Sequence, residues 1–418
     1  MTAPAPAGSS NVSAIRDLLT PEAVRARCGE VFARGLEDGL PAFRIDLDRM
    51  KDATTRVVAE IRTHYPALDV PFHSRWRHFE FDGVDLWQQR VKQADLSGTD
   101  LTAAAGDLAI ISVLLDAGAG ADWTYLDQET GLRLGRSEGL ALASLRLFEA
   151  GTLSADADDP LRADASALKA LTAEQLGDAF QAGSNNPLVG LAQRAELLQR
   201  LGGAVEDRPE IFGRNGAARP GNLLATLADP PTGRSGVRAR DILIAVLDGL
   251  MPVWPSPIRI GGIPLGDVGR HAAIVRQDDT DGIVPFHKLS QWLSYSLIEP
   301  LQHAGIKVED LDGLTGLPEY RNGGLFVDTG VLTLKDPAAA TAAHDPADAL
   351  IVEWRALTVC LLDRIAEDVR TALGRDAKQL PLASVLQGGT WAAGRRIAAE
   401  KRAGGPPPIM IKSDATVF

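Results

Sequence analysis

Two ionisable side chains stand where their neighbours do not favour charge. Lys288 lies in the apolar run VPFHKLSQWLSYSLIEPL, and Glu319 stands between Pro318 and Tyr320 in GLTGLPEYRNGGLFVDTGVL. Desolvating a lone ammonium or carboxylate costs several kcal/mol, so charges with such flanks are expected to be paired or working. A helix over residues 290–303 and a loop separate the two, a length that can return both to one mouth. A carboxylate beside a Lys can orient and deprotonate a water, or stabilise positive charge developing at a sugar carbon. The same two residues could equally cap a helix or form a structural pair. Residue types leave both readings open.

Other constellations are weaker. His73 and His78 in FHSRWRHF, with His287 as a third candidate, do not form HExxH or any close ligand spacing. They read as packing or solvated histidines, and no metal is expected. GGIPLGD over residues 261–267 lacks the GxxxxGK[ST] order and reads as a turn. Gly323 and Gly324 could open a backbone nest for an anion. No GxSxG occurs, so a covalent serine is not expected. In FHSRWRHF, Arg75 and Arg77 offer planar forks for phosphate or carboxylate, and Trp76 offers a stacking face. The segment is either a ligand-binding wall or a turn whose arginines meet acidic neighbours. In VEWRALTV, Glu353 and Arg355 are two apart and cannot share a helix face. One must point inward towards a partner, with Glu319 or Arg321 as candidates.

The elements that would position these residues are mostly helices. Thr20 can cap a helix starting at Pro21 and ending before Gly39, with Val24, Cys28, Val31, Phe32 and Leu36 on one face. Further helices are expected after Asp46 or Asp48 and over residues 108–117, 139–150, 187–201, 241–250, 345–373 and 390–402. Thr172 with Gln175 makes a capping box for a helix through Phe180. Short strands are expected at 123–126, 258–260 and 325–327, and residues 213–236 read as a basic loop. The expected architecture is a mainly α single domain over residues 18–418, after a disordered lead-in over residues 1–17.

Composition bounds the function. With 45% apolar and 23% charged residues the chain reads as a soluble globular protein. A net charge of −12 argues against a nucleic-acid partner. Cys28 and Cys360 read as core thiols in a reducing compartment. Neither a signal peptide nor an apolar run of membrane-spanning length is seen, so a cytoplasmic location without membrane association is expected.

Several longer motifs carry a resemblance: PFHSRWRHFE, ISVLLDAGAG, RSEGLALASL, VPFHKLSQWLSYSLIEPL, GLTGLPEYRNGGLFVDTGVL, VEWRALTV and GGTWAAGRRIAAEKR. Over nearly its whole length the chain resembles the uracil catabolism protein four family, once catalogued as a domain of unknown function. That resemblance implies a place in uracil breakdown by ring opening towards urea, beside a cyclohydrolase-like protein and a uracil phosphoribosyltransferase as pathway partners. The motif order is also similar to that of the queuosine 5′-phosphate N-glycohydrolases, helical proteins related in shape to DNA glycosylases. Their Tyr-Lys-Arg-Ala-Gln run aligns with HKLSQ, carrying Lys288 and Gln291. Their Asp-Tyr-Arg run aligns with Glu319, Tyr320 and Arg321, and their Glu-Arg helix with Glu353 and Arg355. Glu replaces Asp at position 319, which displaces the carboxylate by one methylene.

The resemblance implies hydrolysis of the C1′–N bond of a ribosylurea-type compound, with or without a 5′-phosphate, and no cofactor. Glu319 would stabilise charge at C1′ and orient water, and Lys288 would hold Glu319 ionised or contact a phosphate. Tyr320 and Trp292 would wall the pocket. His73, Arg75, Trp76, Arg77, His287, Gln291, Arg321, Glu353 and Arg355 complete the candidate binding set. The alternatives are cleavage of a ureido C–N bond by an amidohydrolase, and a non-catalytic protein that binds a metabolite or scaffolds the pathway.

Overall fold

The computed structural model describes residues 9–116, 118–228 and 236–412. Helices hold 55% of the chain. Among the described residues the strands are two or three residues long and join only as two-stranded ladders, so the fold is mainly α. No helix among them is long and apolar enough to cross a membrane.

The chain forms two compact units. One comprises Met1–His73, Ser256–Gln291 and Asp310–Phe418, and the other Ser74–Pro255 and Trp292–Glu309. Each is assembled from separated stretches of chain, so no linker marks a boundary in the sequence.

The core of the first unit is the helix Ala349–Leu373, whose buried residues run from Ile351 to Leu373. The helices Pro21–Leu36 and Met50–His64 pack against it. Thr20 caps the first of these as expected, accepting from the Ala23 N–H at 3.2 Å, with Pro21 in the first turn. Cys28 is buried, Cys360 is half-buried, and both are free thiols.

Glu353 points into this core with no exposure. Its carboxylate accepts from the Phe43 N–H at 2.7 Å and the Ala42 N–H at 3.2 Å, and meets His271 Nε2 at 3.2 Å. It therefore ties the strand Phe43–Ile45, which pairs with Leu332–Leu334, to the long helix. The inward charge exists as expected, but its partners are His271 and the backbone rather than Glu319 or Arg321.

Other expectations need correction. Of the lead-in expected over residues 1–17, residues 1–8 lie outside the described residues. Ser9–Asp17 is a helix, and Ile15 packs with Leu18, Ile260, Leu265 and Ile283. The strand expected at 325–327 lies inside the helix Tyr320–Asp328, because its short apolar run is the buried face of a helix of high amphipathicity. Gly323 and Gly324 lie within that helix and form no nest. A Cβ on Gly323 would stand 2.8 Å from the Trp354 indole, whose Nε1 donates to the Gly323 carbonyl. The basic loop expected over 213–236 contains the hairpin Gly213–Arg214 with Ala217–Ala218 and the helix Asn222–Ala228; residues 229–235 lie outside the described residues.

In the second unit the helix Gly98–Leu114 is buried on all sides from Ala103 onwards, the apolar segment expected to be so. Residue 117, at the end of that expected helix, lies outside the described residues. The capping box of Thr172 and Gln175 is present on Ala173–Ala179. Asp107 is wholly buried and accepts from Arg219 at 2.7 Å, and from the Ala163 and Gly221 N–H groups at 3.0 and 2.6 Å.

The Glu353 tie gives a stability test. Glu353→Ala leaves buried N–H groups and His271 unmatched and should cost about 3–5 kcal/mol of unfolding free energy. Glu353→Gln, which still accepts from Phe43, should cost less. Urea unfolding midpoints check this, and an alanine variant as stable as the wild type would contradict it.

Candidate active site

Lys288 opens the helix Lys288–His303, and one aspartate holds the turn before it. The Asp267 carbonyl accepts from the N–H groups of Phe286 and His287 at 3.0 and 3.1 Å. The Asp267 carboxylate accepts from the Lys288 N–H at 2.9 Å. Three successive backbone donors thus converge on a single residue, while His287 sits in the left-handed region at φ 49°. Such a conformation is uncommon for a residue with a Cβ and persists only where the surroundings enforce it.

Asp267 is itself clamped. Arg355, on the long helix, donates to both carboxylate oxygens at 2.8 and 2.7 Å. Its guanidinium carbon lies 4.1 Å from the centre of the Phe286 ring. Burial alone would raise the Asp267 pKa. The Arg355 charge, its hydrogen bonds and that of the Lys288 N–H outweigh this, and the carboxyl is held below its usual range.

Glu319 caps the helix Tyr320–Asp328, accepting from the Arg321 and Asn322 N–H groups at 2.7 and 2.5 Å. The cap is braced from two sides. Asn322 donates to the Leu317 carbonyl at 3.0 Å and accepts from the Thr390 hydroxyl at 2.8 Å, at the end of a π-helical turn over Leu386–Thr390. Gly394 lets the helix Trp391–Lys401 approach, since a Cβ there would stand 2.1 Å from the Arg321 carbonyl oxygen. Burial pushes the Glu319 carboxyl up; the two backbone hydrogen bonds and the charges of Lys288 and Arg321 oppose it without cancelling it. The two solitary charges read from the sequence are therefore electrostatically coupled within one unit.

Exposure sorts the remaining residues of the first unit. Lys288, Glu319, Tyr320 and Arg321 are half-buried, so a solute can reach them. Arg321 donates to the Gly405 carbonyl at 2.7 Å, and its guanidinium lies 4.9 Å from the Tyr320 ring centre. His287, Gln291, Glu353 and Arg355 are buried. Gln291 exchanges hydrogen bonds with Thr315, at 2.7 and 3.2 Å, which holds the loop leading to Glu319. His287 Nε2 donates to the Leu18 carbonyl at 2.9 Å, and burial lowers its pKa. These four act as supports rather than as contacts for a ligand. His73 meets Gln387 Oε1 through Nδ1 at 2.8 Å, and burial lowers its pKa too.

Arg75, Trp76, Arg77 and Trp292 belong to the second unit. Arg75 donates to Asp116 at 2.8 Å and to Ser112 at 2.7 Å. Arg77 meets Glu80 at 2.7 Å and Glu299 at 2.5 Å. Of the two readings of FHSRWRHF, the acidic-neighbour one describes both arginines, and guanidiniums already matched by carboxylates offer a phosphate little. Trp76 donates to the Ser296 carbonyl, and Trp292 packs edge-on to His78. Among the described residues no three His, Cys, Asp or Glu side chains converge as metal ligands.

Asp267 is the residue that sequence reasoning missed. The sequence calls for an inward partner of either Glu353 or Arg355, while residues 261–267 read only as a turn. A charge on an apolar helix announces a partner without naming it.

Two curated proteins and a family model match nearly the full length of the chain. Protein urg3 of Schizosaccharomyces pombe is 37% identical over 414 residues, spanning 97% of this chain and 99% of that protein. Uracil catabolism protein 4 of Lachancea kluyveri is 39% identical over 408 residues, spanning 90% and 92%. A family model described as protein of unknown function (DUF1688) matches residues 17–418, nearly the entire chain. The chain belongs to the DUF1688 family.

Proposed function

We propose that this protein is an N-glycohydrolase of uracil catabolism that cleaves the C1′–N bond of a ribosylurea-type compound, giving urea and ribose or ribose 5-phosphate. The observation that carries the reading is the half-buried Glu319 carboxylate, fixed by two backbone donors and acted on by the Lys288 charge. The name of the Lachancea kluyveri relative supplies the pathway.

The chemistry follows from that geometry. Breaking the C1′–N bond sends its electron pair to nitrogen and leaves oxocarbenium character at C1′. A fixed carboxylate stabilises that charge without reorganising as it develops. Two of the carboxylate's acceptor positions are taken by N–H groups, and the others remain for a water. The water oxygen bonds to C1′ and gives its proton to Glu319, whose raised pKa suits a base. Glu319 then passes that proton to the departing ureido nitrogen, which leaves as urea and returns the carboxylate to its ionised form. Lys288 keeps Glu319 ionised between turnovers, Tyr320 forms a wall, and Arg321 or Lys288 can meet a sugar phosphate.

Glu319→Gln should lower urea release from ribosylurea at least about 100-fold. Because burial makes the charged form of Glu319 unfavourable, its stability contribution is present at low pH and lost as pH rises through the raised pKa. The glutamine variant sheds that desolvation cost but leaves one of the two helix-start N–H groups without its acceptor, so its unfolding free energy at pH 7 should stay within about 1 kcal/mol of wild type. Wild-type turnover in this variant would remove Glu319 from the mechanism.

In pH profiles of kcat/KM, the acid limb should lie above 4.5, the ordinary Glu value. Lys288→Met removes a charge that lowers the Glu319 pKa, so it should shift this limb to higher pH and reduce the plateau. An unmoved limb would uncouple the two residues.

Asp267→Asn should lower stability by about 3–5 kcal/mol, because it removes the carboxylate charge that both Arg355 hydrogen bonds reach. The wild-type contribution of Asp267 is present above its unfolded pKa and lost as pH falls through the depressed folded value. The destabilisation should therefore shrink in acid, which calorimetric unfolding at pH 7 and pH 3 would check; an equal loss at both would contradict it.

A further inference from the structure

The second unit holds a cavity of about 890 Å³ on which the proposed chemistry does not draw. Its size suits a small-molecule ligand, since such sites span roughly 300–1,000 Å³. The walls are largely apolar, with Trp76 and Trp87 among them. Their ring centres lie 6.2 Å apart at 41°, and Phe79 and Phe148 back them at 5.6 and 6.2 Å. Indole walls favour a flat ligand, through stacking and the area they bury.

The polar lining narrows the class. Arg77 stands between Glu80 and Glu299, so its charge is already matched by two carboxylates. With Arg214 and Asp85 also on the wall, the carboxylates outnumber the guanidiniums by three to two, which disfavours an anion, while Glu80 and Glu299, already bonded to Arg77, offer a cation less. The Arg77 side chain keeps part of its surface open, and a guanidinium can donate to a carbonyl oxygen as well as to the two glutamates. Glu80 and Glu299 can in turn accept from ring N–H groups.

We propose that this cavity is a second small-molecule site, for an uncharged planar heterocycle with carbonyl and N–H groups, of nucleobase or nucleoside size. It goes beyond the hydrolytic reading and does not require it. The heterocycle lies with one face against the indole wall, its carbonyl accepting from Arg77 and its N–H donating to a glutamate.

The test is calorimetric titration of the full chain with uracil, uridine and uridine 5′-monophosphate, followed in parallel by tryptophan fluorescence. Uracil or uridine should bind saturably, and the monophosphate at least about tenfold more weakly. Thr102→Trp, which puts an indole on the cavity wall, should weaken binding at least about tenfold at an unchanged unfolding midpoint. Glu319→Gln should retain binding, which separates this site from the hydrolytic one. Should Thr102→Trp not fold, Thr99→Trp on the same wall carries the comparison. The proposal is overturned by no saturable binding up to about 10 mM, by equal or tighter binding of the monophosphate, or by binding that survives the tryptophan substitution.

Discussion

The buried pair of Arg355 with Asp267 is the constraint on which the rest of the site depends. Its two hydrogen bonds, at 2.8 and 2.7 Å, fix a carboxylate whose residue also receives the N–H groups of Phe286, His287 and Lys288. A left-handed histidine costs on the order of 1–3 kcal/mol by itself. Those three donors, together with the bond from His287 to Leu18, offset that strain and set where Lys288 begins its helix. Lys288 is thus positioned by a charge pair that no ligand need touch, and its place depends on the long helix through Arg355.

Glu319 is held by a different logic. Its carboxylate satisfies two helix-start donors that would otherwise be orphaned, so the cap and the proposed catalysis draw on the same group. The cap holds the residue in place, and its exposure leaves it open to a solute. The fully buried charges show the contrast. Glu353 and Arg355 spend their hydrogen bonds on backbone, His271 and Asp267, while Lys288, Glu319 and Arg321 keep part of their surface open.

Much of this was legible in the sequence, and the failures have physical causes. Thr20 and Thr172 announce their helices because caps are local chemistry. The apolar flanks of Lys288 and Glu319 mark them as charges that need a partner, and in the fold the Lys288 charge acts on the Glu319 carboxyl. The same criterion also selects Glu353 and Arg355, since desolvation is blind to whether a charge supports a fold or faces a substrate. LFV at 325–327 resembles a strand only because three residues are too few to separate a period of 2 from one of 3.6. Asp267 stays hidden because its partners lie near it in space but, for Arg355, distant in sequence. Each unit interleaves separated segments, so no linker in the sequence divides them.

The central claim is that the coupled Glu319 and Lys288 act at an anomeric carbon. Incubating the purified protein with ribosylurea and quantifying urea, ammonia and reducing sugar tests it most directly. The account predicts urea and sugar in equal amounts with no ammonia. Ammonia release with the C1′–N bond intact, or no product at all from ribosylurea or its 5′-phosphate, would contradict it.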